Sequence, residues 1–458
     1  MKKELLKKLL KAGYRRCIDS DSITSRAAFL CPKIFWMVCL IKNTQKGCDD
    51  TPPMNQITIV DARMGRGKSS AAIRYMNRHK DSKRFLYITP YLDEVGRICE
   101  RCDFDQPDSD HMSKSSELKL HLRLGHNVSA THSLFYLMDD EALKLIREKH
   151  YSLIVDESIQ VIERLNITDK DFDLIVTQLA EVLEDGCIQW KDEEYTGRFS
   201  DYKEMANTRS LFRLDNALLN ILNPELLRSF DEVFMLTYLF NGQYQKAYLD
   251  YFGFDYKVVG VESDANGYRF SDRPDEPPPL DYHDLIHIVD SPKLNAVGDK
   301  TYTLSKSWYD KRGYNNAEIR TLRNGMKKFF QSIPGGGQET RLWTCYKSDV
   351  NKLVDSKTGR FRKNFLQTSA RATNEYKDRT DVAYMVNRFA DPNIMKFFHA
   401  QNITIDADAF ALSEMLQWIW RSAIRDDRPI NLYIPSKRMR ELLINWIDTT
   451  NGGKTIAV

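Results

Sequence analysis

From Ile57 onward the chain alternates between two hydrophobic patterns. Short β-rich runs, ITIV at 57–60, FLYITP at 85–90 and YSLIVDES at 151–158, predict strands. Between them SAAIRYMNRH at 70–79 and a leucine-rich polar region carry helical spacing, and this alternation predicts a parallel α/β sheet. From 166 to 228 leucines recur at three- and four-residue spacing in FDLIVTQLAEVLEDG and ALLNILNPELL, which predicts a helical insertion before FMLTYLF at 234–240 returns as a strand. The run RPDEPPPLDYHD at 273–284 is the sharpest break in the chain. Beyond it IHIVD, RLWTCYK, NFLQTS, VAYMVN and INLYIPS form a second set of candidate strands with helices between them. The pattern therefore divides the chain into an N-terminal helical extension (1–52), a first α/β unit (53–280, with the insert at about 166–228) and a second (281–458).

Composition narrows the class without changing that picture. Apolar residues at 42% and charged residues at 29% are ordinary for a globular protein. The most apolar early stretch, 27–41, carries Pro32 and Lys33 and is shorter than a membrane-spanning helix requires, so no membrane association is expected. The basic opening MKKELLKKLL has leucines at helical spacing and no cleavage-site pattern, and reads as an amphipathic helix. Eight scattered cysteines form no disulfide framework, which points to a reducing, intracellular compartment. Cys99 and Cys102 make a lone CxxC without the further ligands of a zinc finger. A net charge of +3 is too small to indicate nucleic-acid binding by itself, so any phosphate-contacting surface rests on local clusters such as RGKSSAAIRYMNRHK, KTGRFRK and RSAIRDDRP.

Chemistry concentrates in two segments. DARMGRGKSS at 61–70 follows an apolar strand and precedes an alanine-bearing helical run, the context of a phosphate-binding loop formed by Ala62, Arg63, Met64, Gly65, Arg66, Gly67, Lys68, Ser69 and Ser70. The glycines let successive amides face an anion, and the helix start adds its dipole. Lys68 is positioned for the β- and γ-phosphates of ATP, and the Ser69 hydroxyl for Mg2+. LIVDES at 153–158 is an apolar strand ending in paired carboxylates. Asp156 is the expected second Mg2+ ligand, and Glu157 the group that orients and polarises the attacking water.

With these motifs the chain resembles a superfamily two helicase of the DEAD/DEAH-box-like bacteriophage and prophage type. Ala62 stands where the general phosphate loop has glycine, as in helicase loops of the form AxxGxGKT. YITPY at 87–91 and ATHS at 130–133 resemble strand-contacting elements, and LTYL at 236–239 stands in place of the motif linking hydrolysis to domain movement. LWTCYK at 342–347 and TSARATNE at 368–375 resemble the second lobe's backbone-gripping motifs, with the family's Gly-x-Asp replaced near Glu375–Asp378. QWIWRSAIR at 417–425 resembles the last helicase motif, with Trp420 in its glycine position and the second arginine displaced by one.

The resemblance implies two tandem RecA-like parallel-sheet lobes, nucleic-acid contacts at Thr89, Pro90, Thr131, His132, Thr344, Lys347, Thr368 and Arg371, and a nucleotide contact at Gln417. Either Arg421 or Arg425, four apart and expected on one helix face, is the arginine that neutralises the leaving phosphate. The implied activity is ATP- and Mg2+-dependent unwinding of, or translocation on, single-stranded or forked nucleic acid, DNA ahead of RNA. The implied setting is bacteriophage replication, with phage replication proteins as partners in the host cytoplasm. The alternative is an ATP-dependent DNA-binding switch, loader or remodeller that does not unwind.

Overall fold

The computed structural model describes residues 56–109, 112–273, 281–354, 358–368 and 375–450; the expected N-terminal helical extension and Arg371 lie outside them. Ile57–Asp61 (β1), Arg84–Thr89 (β2), Val128–Thr131 (β3) and Tyr151–Asp156 (β4) are parallel strands of the first sheet. An insert follows with five short strands, Ile162–Arg164 (β5), Ala180–Val182 (β6), Ile188–Trp190 (β7), Leu211–Leu214 (β8) and Ala217–Ile221 (β9). The chain then returns to the first sheet with Glu232–Thr237 (β10), Tyr256–Asp264 (β11) and Gly267–Ser271 (β12). Its strand order is β12-β11-β1-β10-β4-β2-β3, parallel except for the terminal β11–β12 hairpin.

Alternate residues of these strands enter two cores, which is why the runs lack a polar face. Phe85 and Tyr87 pack with helices Lys68–His79 (α1) and Leu92–Cys102 (α2), through Ala72, Met76 and Ile98. Leu86 and Ile88 point the other way, toward Lys114–Leu124 (α3) and Asp140–Lys149 (α4), through Leu118, Leu122 and Ile146.

The second sheet is formed by Ile286–Ile288 (β13), Arg341–Thr344 (β14), Asp381–Tyr384 (β15) and Ile430–Tyr433 (β16), in the order β13-β16-β15-β14 and all parallel. Ala317–Ser332 (α5) covers one face through Met326 and Phe329, against Trp343, Ala383 and Tyr433. Ala407–Ile419 (α6) and Lys437–Thr450 (α7) cover the other through Met415, Leu416 and Leu443. The molecule is thus an α/β protein with two RecA-like parallel-sheet lobes.

Two sequence expectations are corrected. The insert is mixed rather than helical: Asp169–Leu174 is helical, Ile175–Leu179 is a π-helical turn, and the chain then reverses through the β6–β7 hairpin. Leucine spacing concealed the turn signal Asp185–Gly186, where Gly186 adopts a φ of 82°. The expected strand NFLQTS is not a strand over its described residues, 364–368. Its described part runs beside edge strand β14 with a single bridge, Trp343 to Phe365, while Asn364 donates from Nδ2 to the Gln338 and Arg341 carbonyls and holds it as a loop.

The lobes meet tightly. A Cβ on Gly242 would lie 2.4 Å from the Ala409 carbonyl carbon of α6, so the short turn Phe240–Gly242 seats against that helix only with glycine there. Tyr244 stacks on Phe410 with ring centroids 4.7 Å apart. Ile394 and Phe398, which follow β15 in sequence, are buried in the first lobe's core.

Candidate functional site

The loop between β1 and α1 curls because Gly65 and Gly67 take left-handed φ values of 79° and 77°. Gly67 is the N-cap of α1, so the loop ends on a helix N-terminus. Lys68 Nζ spans the loop and donates to the carbonyls of Ala62 (2.5 Å) and Arg63 (3.0 Å). Ala62 and Arg63 are buried, and Ala62 N–H is tied to the Thr237 carbonyl of β10 at 3.1 Å.

Strand β4 brings Asp156 to this loop. Its carboxylate accepts from the Ser69 hydroxyl at 3.3 Å and from the Tyr87 hydroxyl at 2.7 Å. Burial pushes the Asp156 carboxyl up to about 6, helped by the neighbouring Glu157 and opposed by the Tyr87 hydrogen bond and Lys68. The oxygens of Ser69 and Asp156 converge as a hard donor pair of the kind that suits Mg2+. At Glu157 the backbone turns left-handed (φ 62°), which swings its side chain toward the second lobe. There Arg421 Nη2 lies 3.4 Å from Glu157 Oε1, with the arginine side chain only 6% exposed.

A cavity of about 370 Å3 holds these groups together. Met64, Gly65, Gly67, Lys68, Ser69, Ser70, Asp156 and Glu157 line it from the first lobe; Gln417, Arg421 and Arg425 line it from the second. That size lies within the range of small-molecule sites. A second cavity, about 480 Å3 beneath α1, is lined by residues such as Gln56 and Asp231 from the opposite strand ends and by Arg74, Arg78 and His79 of the basic run at 66–80, but by none of Lys68, Ser69, Asp156, Glu157, Arg421 and Arg425. Arg421 and Arg425 do not share a helix face: α6 ends at Ile419, Arg421 follows in a turn, and Arg425 is in the short 3-10 turn Ala423–Asp426. Trp418 and Trp420 bury in the second lobe's core and end the helix, so Arg421 is held inward while Arg425 stays exposed.

Sequence reading missed three kinds of participant. Glu94 and Arg97 of α2, ion-paired at 2.7 Å, line the same cavity; their surface-like spacing gave no sign of it. Tyr87, read only as part of a strand-contacting run, anchors Asp156. The β11–β12 hairpin places the Tyr268 ring against Gly67, and its Asn266–Gly267 turn was a readable signal. Thr237, within the LTYL run expected to link hydrolysis to domain movement, starts a polar relay between the lobes. Its hydroxyl lies 3.3 Å from that of Ser158 and donates to Gln243 Oε1 at 2.8 Å. Gln243 Nε2 donates to the Tyr238 carbonyl at 2.9 Å and reaches Ser413 Oγ at 3.5 Å, and Gln417 Nε2 donates to that same hydroxyl at 3.1 Å.

The expected nucleic-acid contacts divide. Thr89, His132 and Thr344 are buried at 0%, 5% and 0% exposure, so their side chains are not on the surface. His132 Nε2 instead sits 3.0 Å from the Asp156 carbonyl, and Thr131 caps the turn Tyr136 ends by accepting from Leu134 N–H at 3.3 Å. Pro90, Thr131 and Thr368 are half-buried and Lys347 is exposed. Thr89 and Thr131 are paired across β2 and β3 at the same sheet end as Asp156.

Comparison with known proteins adds the following. Residues 280–447 match the family described as the YonV C-terminal Rossmann-like domain, and residues 162–220 match the YonV middle domain. Among solved structures, an XPD helicase (TM-score 0.46, 11% identity, 87% of this chain and 95% of that one) is similar. So is the S. tokodaii protein Xpd4 (TM-score 0.46, 10% identity, 86% and 94%). The SPbeta prophage-derived uncharacterized protein YonV of Bacillus subtilis (strain 168) is 35% identical over 413 residues, covering 86% of this chain and 99% of that protein. Identity of that extent, with the middle and C-terminal family models matching in chain order, means that the chain belongs to the YonV family.

Proposed function

We propose that this protein is an ATPase of the helicase type, using ATP and Mg2+ to drive movement on a nucleic-acid strand. The observation that carries the reading is the cavity shared by Lys68, Ser69, Asp156 and Glu157 of one lobe and Arg421 and Arg425 of the other. A phosphate loop alone would fit any nucleotide-binding protein. A cationic group delivered from a second lobe fits one whose hydrolysis senses lobe closure.

In this reading the loop amides and Lys68 bind the β- and γ-phosphates, and Lys68 exchanges its carbonyl partners for phosphate oxygens. Mg2+, held by Ser69 and Asp156, would offset charge on those oxygens. Glu157 orients and polarises the attacking water. Its pairing with Arg421 describes the resting arrangement: the terminal phosphate competes with Glu157 for the guanidinium, so nucleotide binding frees the carboxylate and draws the lobes together. The relay from Ser158 through Thr237, Gln243 and Ser413 to Gln417 gives closure a path between lobes.

The strand is proposed to run over the rim formed by Pro90, Thr131, Lys347 and Thr368, held by phosphate contacts and stacking and therefore weakened by salt. DNA is the proposed substrate, in a phage replication setting. The prophage origin of the Bacillus relative supports a phage setting. The test is steady-state ATP hydrolysis with and without single-stranded DNA. Stimulated turnover that Lys68→Ala and Glu157→Gln each reduce by about 100-fold or more is expected. Equal hydrolysis with and without DNA would remove the motor reading. Forked-duplex assays then separate unwinding from a gentler loading or remodelling role.

A further inference from the structure

Among the described residues, one group outside the cleft brings three potential metal donors within 4.8 Å of one another: Asp105, His121 and His126. Asp105 Oδ2 lies 2.6 Å from His126 Nδ1 and 3.3 Å from His121 Nδ1, and the two imidazole nitrogens are 3.3 Å apart. Three donors on a tetrahedral Zn2+, with bonds of about 2.0–2.1 Å, stand about 3.3 Å from one another. Two of the three separations already have that value. The third widens by a small rotation of the Asp105 carboxylate.

The backbone that carries these donors is fixed. α3 ends on Gly125 (φ 76°), and His126 N–H donates back to the His121 carbonyl at 3.1 Å, which folds the two histidines toward each other. Tyr151 Oη donates to the His126 carbonyl at 2.6 Å. Asp105 is pinned on both sides: its N–H donates to the Asn127 carbonyl at 2.9 Å, and its carbonyl accepts from Ser129 N–H at 2.8 Å. The donors also gather at the C-terminal end of α3, where the helix dipole favours a cation.

We propose that Asp105, His121 and His126 form a binding site for zinc or a similar divalent transition metal, with solvent completing the coordination. Two imidazoles and a single carboxylate select this class over Mg2+ or Ca2+, which require oxygen donors. His126 and Asp105 are 44% and 47% exposed, so the ion enters and exchanges freely. The site lies at the start of β3, whereas the nucleotide cavity gathers at the strands' C-terminal ends. Its role is therefore a clip tying the segment before α3, the end of α3 and edge strand β3 together, and it is independent of the ATPase reading.

The test uses the full chain, stripped with chelator and titrated with Co2+ alone, then Zn2+ alone. One Co2+ per chain with the visible absorption of a tetrahedral N/O site is expected, displaced stoichiometrically by Zn2+. Excess zinc should raise Tm by about 3 °C or more. His121→Gln, His126→Gln and Asp105→Asn should each weaken binding at least tenfold and abolish the Tm shift, while Cys99→Ser/Cys102→Ser leaves both intact. Absence of stoichiometric binding overturns the proposal. So does binding unchanged in the histidine and aspartate variants, or lost only in the cysteine variant. The ligand side chains are partly exposed, and circular dichroism of each variant checks that the fold persists.

Discussion

Two adjacent residues at the end of β4 have opposite environments. Asp156 is buried against Tyr87 and Ser69, whereas Glu157 turns out on a left-handed backbone to meet Arg421. Burial raises the Asp156 carboxyl to about 6, above its unfolded value, so keeping it ionised in the nucleotide-free protein opposes folding. The penalty is fully present above about pH 6, shrinks as pH falls, and is gone below the unfolded value of about 4. Asp156→Asn retains an acceptor for Tyr87 and removes the charge. It should raise Tm by a few degrees at pH 7.5, corresponding to about 3 kcal/mol, with the gain fading toward pH 4.5. Thermal melts across that range check it, and a lower Tm at pH 7.5 would contradict it. Hydrolysis by the same variant should be lost.

At the scale of elements, the phosphate loop is held from two sides. Behind it β10 fixes Ala62, and in front of it the β11–β12 hairpin is fastened to α1 by Arg74–Asp264 at 2.8 Å. A Cβ on Gly67 would lie 2.3 Å from the Tyr268 ring and would also demand a left-handed φ of 77° from an L-residue. Gly67→Ala should therefore lower both Tm and ATP affinity. Adding Tyr268→Ala should recover only the steric part, leaving a backbone cost of about 1 kcal/mol. Full recovery in the double variant, read by melts and nucleotide titration, would show that the left-handed turn is dispensable. The motif and its strand–helix context were readable in the chain because each is local. The hairpin in front was readable from Asn266–Gly267 but was obscured by the proline-rich stretch beside it. The insert misled for a related reason: leucines at three- and four-residue spacing also satisfy short strands when a turn interrupts them, and only the pairing of β6 with β7 decides between the two.

At the scale of the molecule, the lobes are joined by a buried polar chain as well as by apolar packing. Gln243, 7% exposed, bridges Thr237 and Tyr238 of the first lobe and Ser413 of the second. Gln243→Ala leaves a Thr237 hydroxyl and a carbonyl short of partners, which costs about 1–3 kcal/mol. Because Gln243 does not line the nucleotide cavity, ATP affinity should change less than twofold while stimulation by single-stranded DNA falls severalfold. Stimulation equal to the parent protein would take the relay out of the coupling path.

The chain by itself determined the strand and helix flanking the phosphate loop, the paired carboxylates at the end of β4 and the presence of two α/β units, since these follow from short-range hydrophobic period and from residues adjacent in sequence. It could not determine that Thr89, His132 and Thr344 are buried, that Arg421 rather than Arg425 faces Glu157, or that Asp105 meets His121 and His126. Those outcomes depend on strand order, on where Trp418 and Trp420 end a helix, and on how a glycine cap folds α3 back toward β3. Each joins residues from 16 to 264 positions apart, and tertiary packing sets such contacts where local periodicity carries no information about them.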